Sequence, residues 1–194
     1  MWKAKKMKAF ITWSLVIFYI QLSSFANAAA QVPYYSQYDN VYEPDATCGL
    51  TSAAMVISYF KARKVSPDSL YQRYGKAMGA TPEGQMAIYK DFGLYATATR
   101  KGSRASIINH LRQNRIVVIH GWFTESGHIM PLINNANDGF VANDPAGVWK
   151  KCARCGYTSN TLGAGVKYLY SELNSSVLSY DGDIWYSVIS NQPF

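Results

Sequence analysis

Three cysteines and three histidines are all that a chain of 194 residues provides for soft metal ligation and imidazole chemistry. There is no second CxxC and no spaced pair of histidines, so a structural zinc site has little to build on. Charge is also scarce: Asp, Glu, Lys and Arg make up 16% of the chain, too little for a solvating or disordered polar tract. The sequence has no Gly-rich phosphate loop, no nucleic-acid motif and no basic stripe interleaved with aromatics, so nucleotide and nucleic-acid partners are not expected. No cofactor is implied. The longest apolar stretch, "AFITWSLVIFYIQL", has 14 residues, short of the ~20 that a spanning helix needs.

That stretch follows the basic "MWKAKKMK" and precedes the small-residue "SSFANAAA", with an Ala26-Asn27-Ala28 cleavage pattern. Residues 1–30 therefore read as a signal peptide. The expected protein is exported to a periplasmic or extracellular space, without stable membrane insertion after cleavage. The first thirty residues hold four of the 19 basic residues and none of the 12 acidic ones, which leaves the remainder at +3. Residues 31–194, in a chain that is 48% hydrophobic, suit a single globular domain with a sizeable core. The 15 tyrosines suit partly wet grooves, because one end of the ring is polar.

Export sharpens the question of the cysteines, since oxidising compartments pair thiols. Cys152 and Cys155 form "CARC" in a loop-like segment and are expected to bridge each other, in preference to a zinc half-site or a redox pair. Cys48 is then the odd thiol, in "DATCGLTSAAM".

Helical periodicity runs from about Thr47 through "CGLTSAAMVISYFKARK", with apolar Leu50, Ala53, Ala54, Ile57 and Phe60 and a cationic last turn. Ser66-Pro67 and Thr81-Pro82 mark two more helix starts, and a fourth helix is expected from Ser103 to about Gln113. Later segments, "RIVVIHGWF", "GHIMPLINNA", "GFVANDP" and "DIWYSVI", read as strands. Helices followed by antiparallel strands give an α+β order.

A helix start favours a thiolate over a thiol, and nucleophilic catalysis also needs a base. His110 in "INHLRQ" reads as a surface or packing residue, and His120 in "VVIHGW" as an interior one. His128, after a glycine in "ESGHIMPLI", opens a strand where its ring can stand at a cleft edge. Folding the chain into a hairpin about residue 136 puts His128 opposite Asp144, close enough for the carboxylate to orient the imidazole. In that register Asn143 points to the other face of the sheet.

Four pieces together, "VPYYSQYDN", "TCGLTSAAMV", "SGHIMPLI" and "VANDPAG", resemble the bacteriocin-processing (double-glycine leader) peptidase-like family within the papain-like cysteine peptidase superfamily. The match runs from Val32 to about Gly147, in the order Gln-Cys-His-Asp. The resemblance implies a papain-like fold in which N-terminal helices, one carrying Cys48, pack on an antiparallel sheet. It also implies roles: Cys48 attacks an amide carbonyl, His128 relays protons and Asp144 orients His128. Gln37 and the Cys48 N–H would stabilise the oxyanion.

Ten residues, "YDNVYEPDAT", separate Gln37 from Cys48, more than in the leader-cleaving members. Those members sit on transporters and this chain shows no transporter segment, so the expected substrate is another peptide or a peptidoglycan-derived one. Two other readings share the same residues. One is a papain-like binding module without activity; the other is an acyl transferase that passes the thioester to an amine. An inhibitor or immunity protein is a conceivable partner.

Overall fold

The computed structural model describes residues 31–178 and 182–194. The signal-peptide reading of residues 1–30 lies outside the described residues. Among the described residues, five helices and a six-stranded antiparallel sheet make up an α+β fold. Among the described residues no helix is long and apolar enough to cross a membrane.

Helices come first in the chain: α1 (Cys48–Lys61), α2 (Pro67–Gly79) and α3 (Pro82–Asp91). Proline opens α2 and α3 as the sequence suggests, its fixed φ suiting the first helical turn. Thr81 also caps α3 by accepting a hydrogen bond from Gly84 N–H. In α2 the regular helix breaks at Gly75, whose φ of 67° is a conformation glycine adopts without penalty. The middle of α1 is buried almost all round, Leu50 to Ile57 without exception, as its dense apolar composition requires.

Strand β1 (Tyr95–Gly102) and α4 (Arg104–Arg112) lead into β2 (Ile116–Gly121), β3 (His128–Asn135) and β4 (Gly139–Ala142). The short ladder of β5 (Val148–Trp149) with β6 (Tyr157–Thr158) stands apart, and β7 (Val166–Leu169), α5 (Tyr170–Val177) and β8 (Ile184–Ser190) complete the chain. Spatial order in the sheet is β1-β8-β2-β3-β4-β7, so the last strand is inserted beside β2 and closes the fold.

Alternation in β2 sends Ile116 and Val118 into the core under α1–α3, and Val117 and Ile119 into a second core with Ile107 and Leu111 of α4 and Leu173 of α5. A strand with both faces covered reads as a continuous apolar run, which is why "IVVI" was legible. Burying this much apolar surface at roughly 25 cal/mol per Å² is the main source of stability.

The Cys-Gly pair that opens α1 is fixed by a close approach. A Cβ on Gly49 would lie 2.0 Å from the Gly79 carbonyl oxygen. Gln85, fully buried, ties the two segments by donating from Nε2 to Gly49 O (2.6 Å) and Gly79 O (2.9 Å). Gly49→Ala is therefore expected to cost about 2–3 kcal/mol through overpacking, read as a lowered urea midpoint. A midpoint equal to wild type would contradict this account of the motif.

Candidate active site

The start of α1, the start of β3 and the "NDPAG" turn after β4 meet at one cleft of about 870 Å³, lined among others by Gln37, Cys48, His120, Trp122, His128 and Tyr157. Thr47 precedes α1 without a side-chain cap hydrogen bond, so the cap supplies no acceptor to the first N–H groups of the helix, that of Cys48 included. Cys48 is half-buried and is a free thiol.

His128 is buried, and its Nε2 lies 2.8 Å from Asp144 Oδ1. The thiol of Cys48 is within hydrogen-bonding reach of the same ring. With Nε2–H donated to Asp144, Nδ1 is the nitrogen available to the thiol. Gly127, at φ 83°, turns the chain into β3, and Thr124 Oγ1 donates to its carbonyl at 2.6 Å. That local turn is the reason for Gly before His.

Asp144 is fully buried with both oxygens engaged. Oδ1 also accepts from Ala146 N–H at 3.1 Å, and Oδ2 accepts from Tyr168 O–H at 2.9 Å. Tyr168 stays protonated, because burial and then the Asp144 charge push its pKa upward. In turn its oxygen accepts from Trp149 N–H at 3.0 Å. A buried carboxylate satisfied in this way is an effective orienting group.

The hairpin register differs from the sequence-based one. Asn135 pairs with Phe140, an irregularity intervenes, and Leu132 pairs with Ala142. Asn143 N–H then donates to Pro131 O. Asp144 is thus displaced by two residues from the position opposite His128. The two side chains still meet, because a shift of two keeps them on one face as diagonal neighbours. Asn143 is turned away: its Nδ2 donates to Val32 O and its Oδ1 accepts from Gly165 N–H.

Gln37 is buried beside the cleft in a short 3-10 turn, Gln37–Asp39. Its backbone N–H donates to Pro145 O at 2.9 Å, directly after Asp144, and its Nε2 donates to Pro44 O at 2.8 Å. An amide nitrogen has two hydrogens, so one N–H beyond the Pro44 contact is available to a ligand.

The ten-residue connection does not carry Gln37 away. Asn40 Nδ2 binds Thr47 and Thr51 hydroxyls, Asp68 Oδ1 accepts from Val41 and Tyr42 N–H, and Glu43 is held by Tyr71 and Lys76.

Of the other two histidines, His120 is buried and its pKa is pushed down to about 3, with burial the largest cause, so it is neutral. His110 lies on α4 beside Arg115 and Tyr186, away from the cleft. Cys152 and Cys155 are joined in a disulfide. Among the described residues no cluster of three or more His, Cys, Asp or Glu could hold a metal ion.

The sequence matches the Peptidase_C39 like family over residues 29–171. The chain belongs to the C39-like peptidase family. Membership supports cysteine peptidase activity, and three solved structures share the fold. A double glycine motif protease from an AMS/PCAT transporter, solved with its leader peptide, is 18% identical with a TM-score of 0.55, covering 86% of this chain and 96% of that one. A C39-like peptidase from Bacillus anthracis is 12% identical with a TM-score of 0.57, covering 85% and 97%. The peptidase domain of Streptococcus ComA, a bi-functional ABC transporter of a quorum-sensing pathway, is 13% identical with a TM-score of 0.53, covering 76% and 93%. At these identities the likeness is one of fold. No curated protein matches the chain.

In this C39-like domain the electrostatics at His128 have a defined sign. Burial by itself lowers the imidazole pKa, but the charges of Asp144 and Cys48 and the hydrogen bonds to both overcome it and raise the value to about 10. A folded-state pKa above the unfolded value near 6.5 contributes stability that is fully present below pH ~6.5 and is lost as pH rises through about 10. Urea midpoints of the wild type should therefore fall between these limits more steeply than those of His128→Ala. Parallel pH profiles would contradict the assignment.

Sequence reasoning missed Tyr168 and Tyr157. Tyr168 does carry a signal, since "VKYL" sets the buried Tyr next to a charged, exposed Lys167. Nothing local to Tyr157 announces its contact with His128.

Proposed function

We propose that this chain is an exported cysteine peptidase that hydrolyses peptide or amide bonds with Cys48 as nucleophile, His128 as proton carrier and Asp144 as the group that orients His128. The single observation that carries this reading is the buried His128–Asp144 hydrogen bond beside a free thiol at a helix start, within one open cleft.

The thiolate of Cys48 adds to the substrate carbonyl carbon, and the carbonyl oxygen becomes an oxyanion. Protonated His128 gives its Nδ1 proton to the departing amine as the C–N bond breaks, leaving a thioester on Cys48. Neutral His128 then takes a proton from water, whose oxygen attacks the thioester and releases the acid and the thiolate. The spare N–H of Gln37 and the backbone N–H of Cys48 are the proposed oxyanion donors, a role typically worth about 3 kcal/mol each.

The C39-like neighbour solved with a leader peptide supports a peptide as the occupant of the cleft. We further propose that wall-derived peptides are the substrate: they are anionic, and the chain beyond residue 30 is at +3. The test is to incubate protein lacking residues 1–30 with purified sacculi, with muropeptides and with a denatured protein mixture, using Cys48→Ala as control. New amine termini from wall material that depend on Cys48 support the wall reading. Cleavage confined to proteins overturns the substrate and keeps the peptidase; no turnover on any of them favours a binding module.

A further inference from the structure

The "CARC" loop reaches this cleft through Arg154, which lines it together with Tyr157. Cys152 and Cys155 are exposed, and the loop between them is docked by its backbone: Arg154 N–H donates to Trp122 O at 2.8 Å and Gly156 N–H to Phe123 O at 2.9 Å. Lys151 and Arg154 have φ of 65° and 63°, a left-handed conformation that non-glycine residues adopt at a cost. A covalent tie across the loop offsets that cost by restricting the alternatives.

The docked loop delivers the residue that follows it. Tyr157 opens β6 and pairs with Trp149, and its ring centroid lies 4.8 Å from that of His128 at an interplanar angle of 57°. Phe123, the acceptor of the Gly156 contact, packs edge-on to His128 at 6.1 Å and to Trp149 at 5.0 Å. The imidazole thus lies in contact with two rings, both fastened to the disulfide loop.

We propose that Tyr157 is a positioning residue for His128 and that the Cys152–Cys155 disulfide holds it in place. This rests on the peptidase reading above. It follows that full activity requires one oxidised cysteine pair beside a reduced Cys48.

A dithiol reductant opens the pair in two displacements. One thiolate of the reductant attacks a protein sulfur and expels the other as a thiolate, and its second thiolate then releases the first. The protein gains two electrons and two protons, the reductant becomes a cyclic disulfide, and Cys48 is unchanged. The exposure of both sulfurs makes this step accessible.

The experiment measures kcat, KM and the pH profile of peptide turnover with the pair closed and after dithiol treatment. Peptide mapping reports the state of the pair and the alkylation rate of Cys48 in each sample. Opening the pair is expected to lower kcat about tenfold, the scale of a small misplacement of a reacting group, with KM changed far less. The alkaline limb should also move to lower pH, because water reaching His128 weakens its coupling to Asp144.

Cys152→Ser/Cys155→Ser should match the opened wild type and ignore the dithiol. Tyr157→Ala should behave likewise with the disulfide intact, and Tyr157→Phe, which keeps the ring, should rescue kcat. Equal kcat with the pair mapped open, or wild-type kcat in Tyr157→Ala, would overturn the proposal. Alkylation of Cys48 that is independent of His128 in both redox states would instead overturn the peptidase reading beneath it.

Discussion

His128→Ala is expected to lower kcat/KM for peptide hydrolysis by on the order of 10³-fold, within the range for loss of a positioned general acid–base group. Two steps are affected. The departing amine loses its proton donor, and the thiolate loses the cation that accompanies it, so iodoacetamide should alkylate Cys48 more slowly as well. Because the ring is buried between Phe123 and Tyr157, the alanine variant also leaves a cavity, so kcat/KM must be compared at matched folded fractions. The alkylation rate, followed by mass mapping of the Cys48 peptide, separates a chemical effect from unfolding. A variant with native circular dichroism and an undiminished alkylation rate would remove His128 from the mechanism.

Asp144→Ala is expected to act on stability and activity together. Its carboxylate is fully buried and receives His128 Nε2–H, Ala146 N–H and Tyr168 O–H. Truncation removes the acceptor of all three donors, one of them on the cation that the carboxylate balances, and leaves Tyr168 O–H only its 3.4 Å contact with Gly147 O. Removing one partner of such a buried pair typically costs about 3–5 kcal/mol, so the urea midpoint should drop sharply. Asp144→Asn keeps the shape and one acceptor oxygen but removes the charge. It should unfold later than the alanine variant, while its alkaline limb of kcat/KM falls below the wild-type value, since the Asp144 charge is the largest of the effects that raise the His128 pKa to about 10. Equal midpoints for Asp144→Ala and the wild type would mean that the carboxylate is not in this buried network.

The parts of this molecule legible in its sequence are those governed by local patterns. The capping grammar of Thr81-Pro82 and Ser103, the dense apolar α1 and the two-sided β2 all follow from spacing within one element. Cys48 at the start of α1 and His128 at the start of β3 were readable for the same reason.

Strand β1 was not. Its sequence "YATATRKG" is small and polar, as suits an edge strand with one neighbour. Helix α5, "YSELNSSV", is short and rich in Ser and Asn, which favour turns over helices.

The hairpin register was misjudged because the turn is centred between residues 137 and 138 and not at 136, with Asn135 opposite Phe140, and the irregularity that adds a residue to β3 takes back only one position of that shift. That error left the pairing of faces unchanged only because the shift was even. The contacts that complete the site, Tyr168 to Asp144 and Tyr157 to His128, join residues 24 and 29 positions apart on different elements. Such contacts depend on topology, which local periodicity does not encode.

One measurement tests the central claim most directly. Protein lacking residues 1–30, with Cys152–Cys155 closed, is exposed to a thiol-directed peptide electrophile at neutral pH and followed by intact-mass and peptide mapping. The account predicts one adduct per chain, located on Cys48, absent in Cys48→Ala and formed far more slowly in His128→Ala. Labelling at equal rates in wild type and His128→Ala, or an adduct located elsewhere than Cys48, would contradict it.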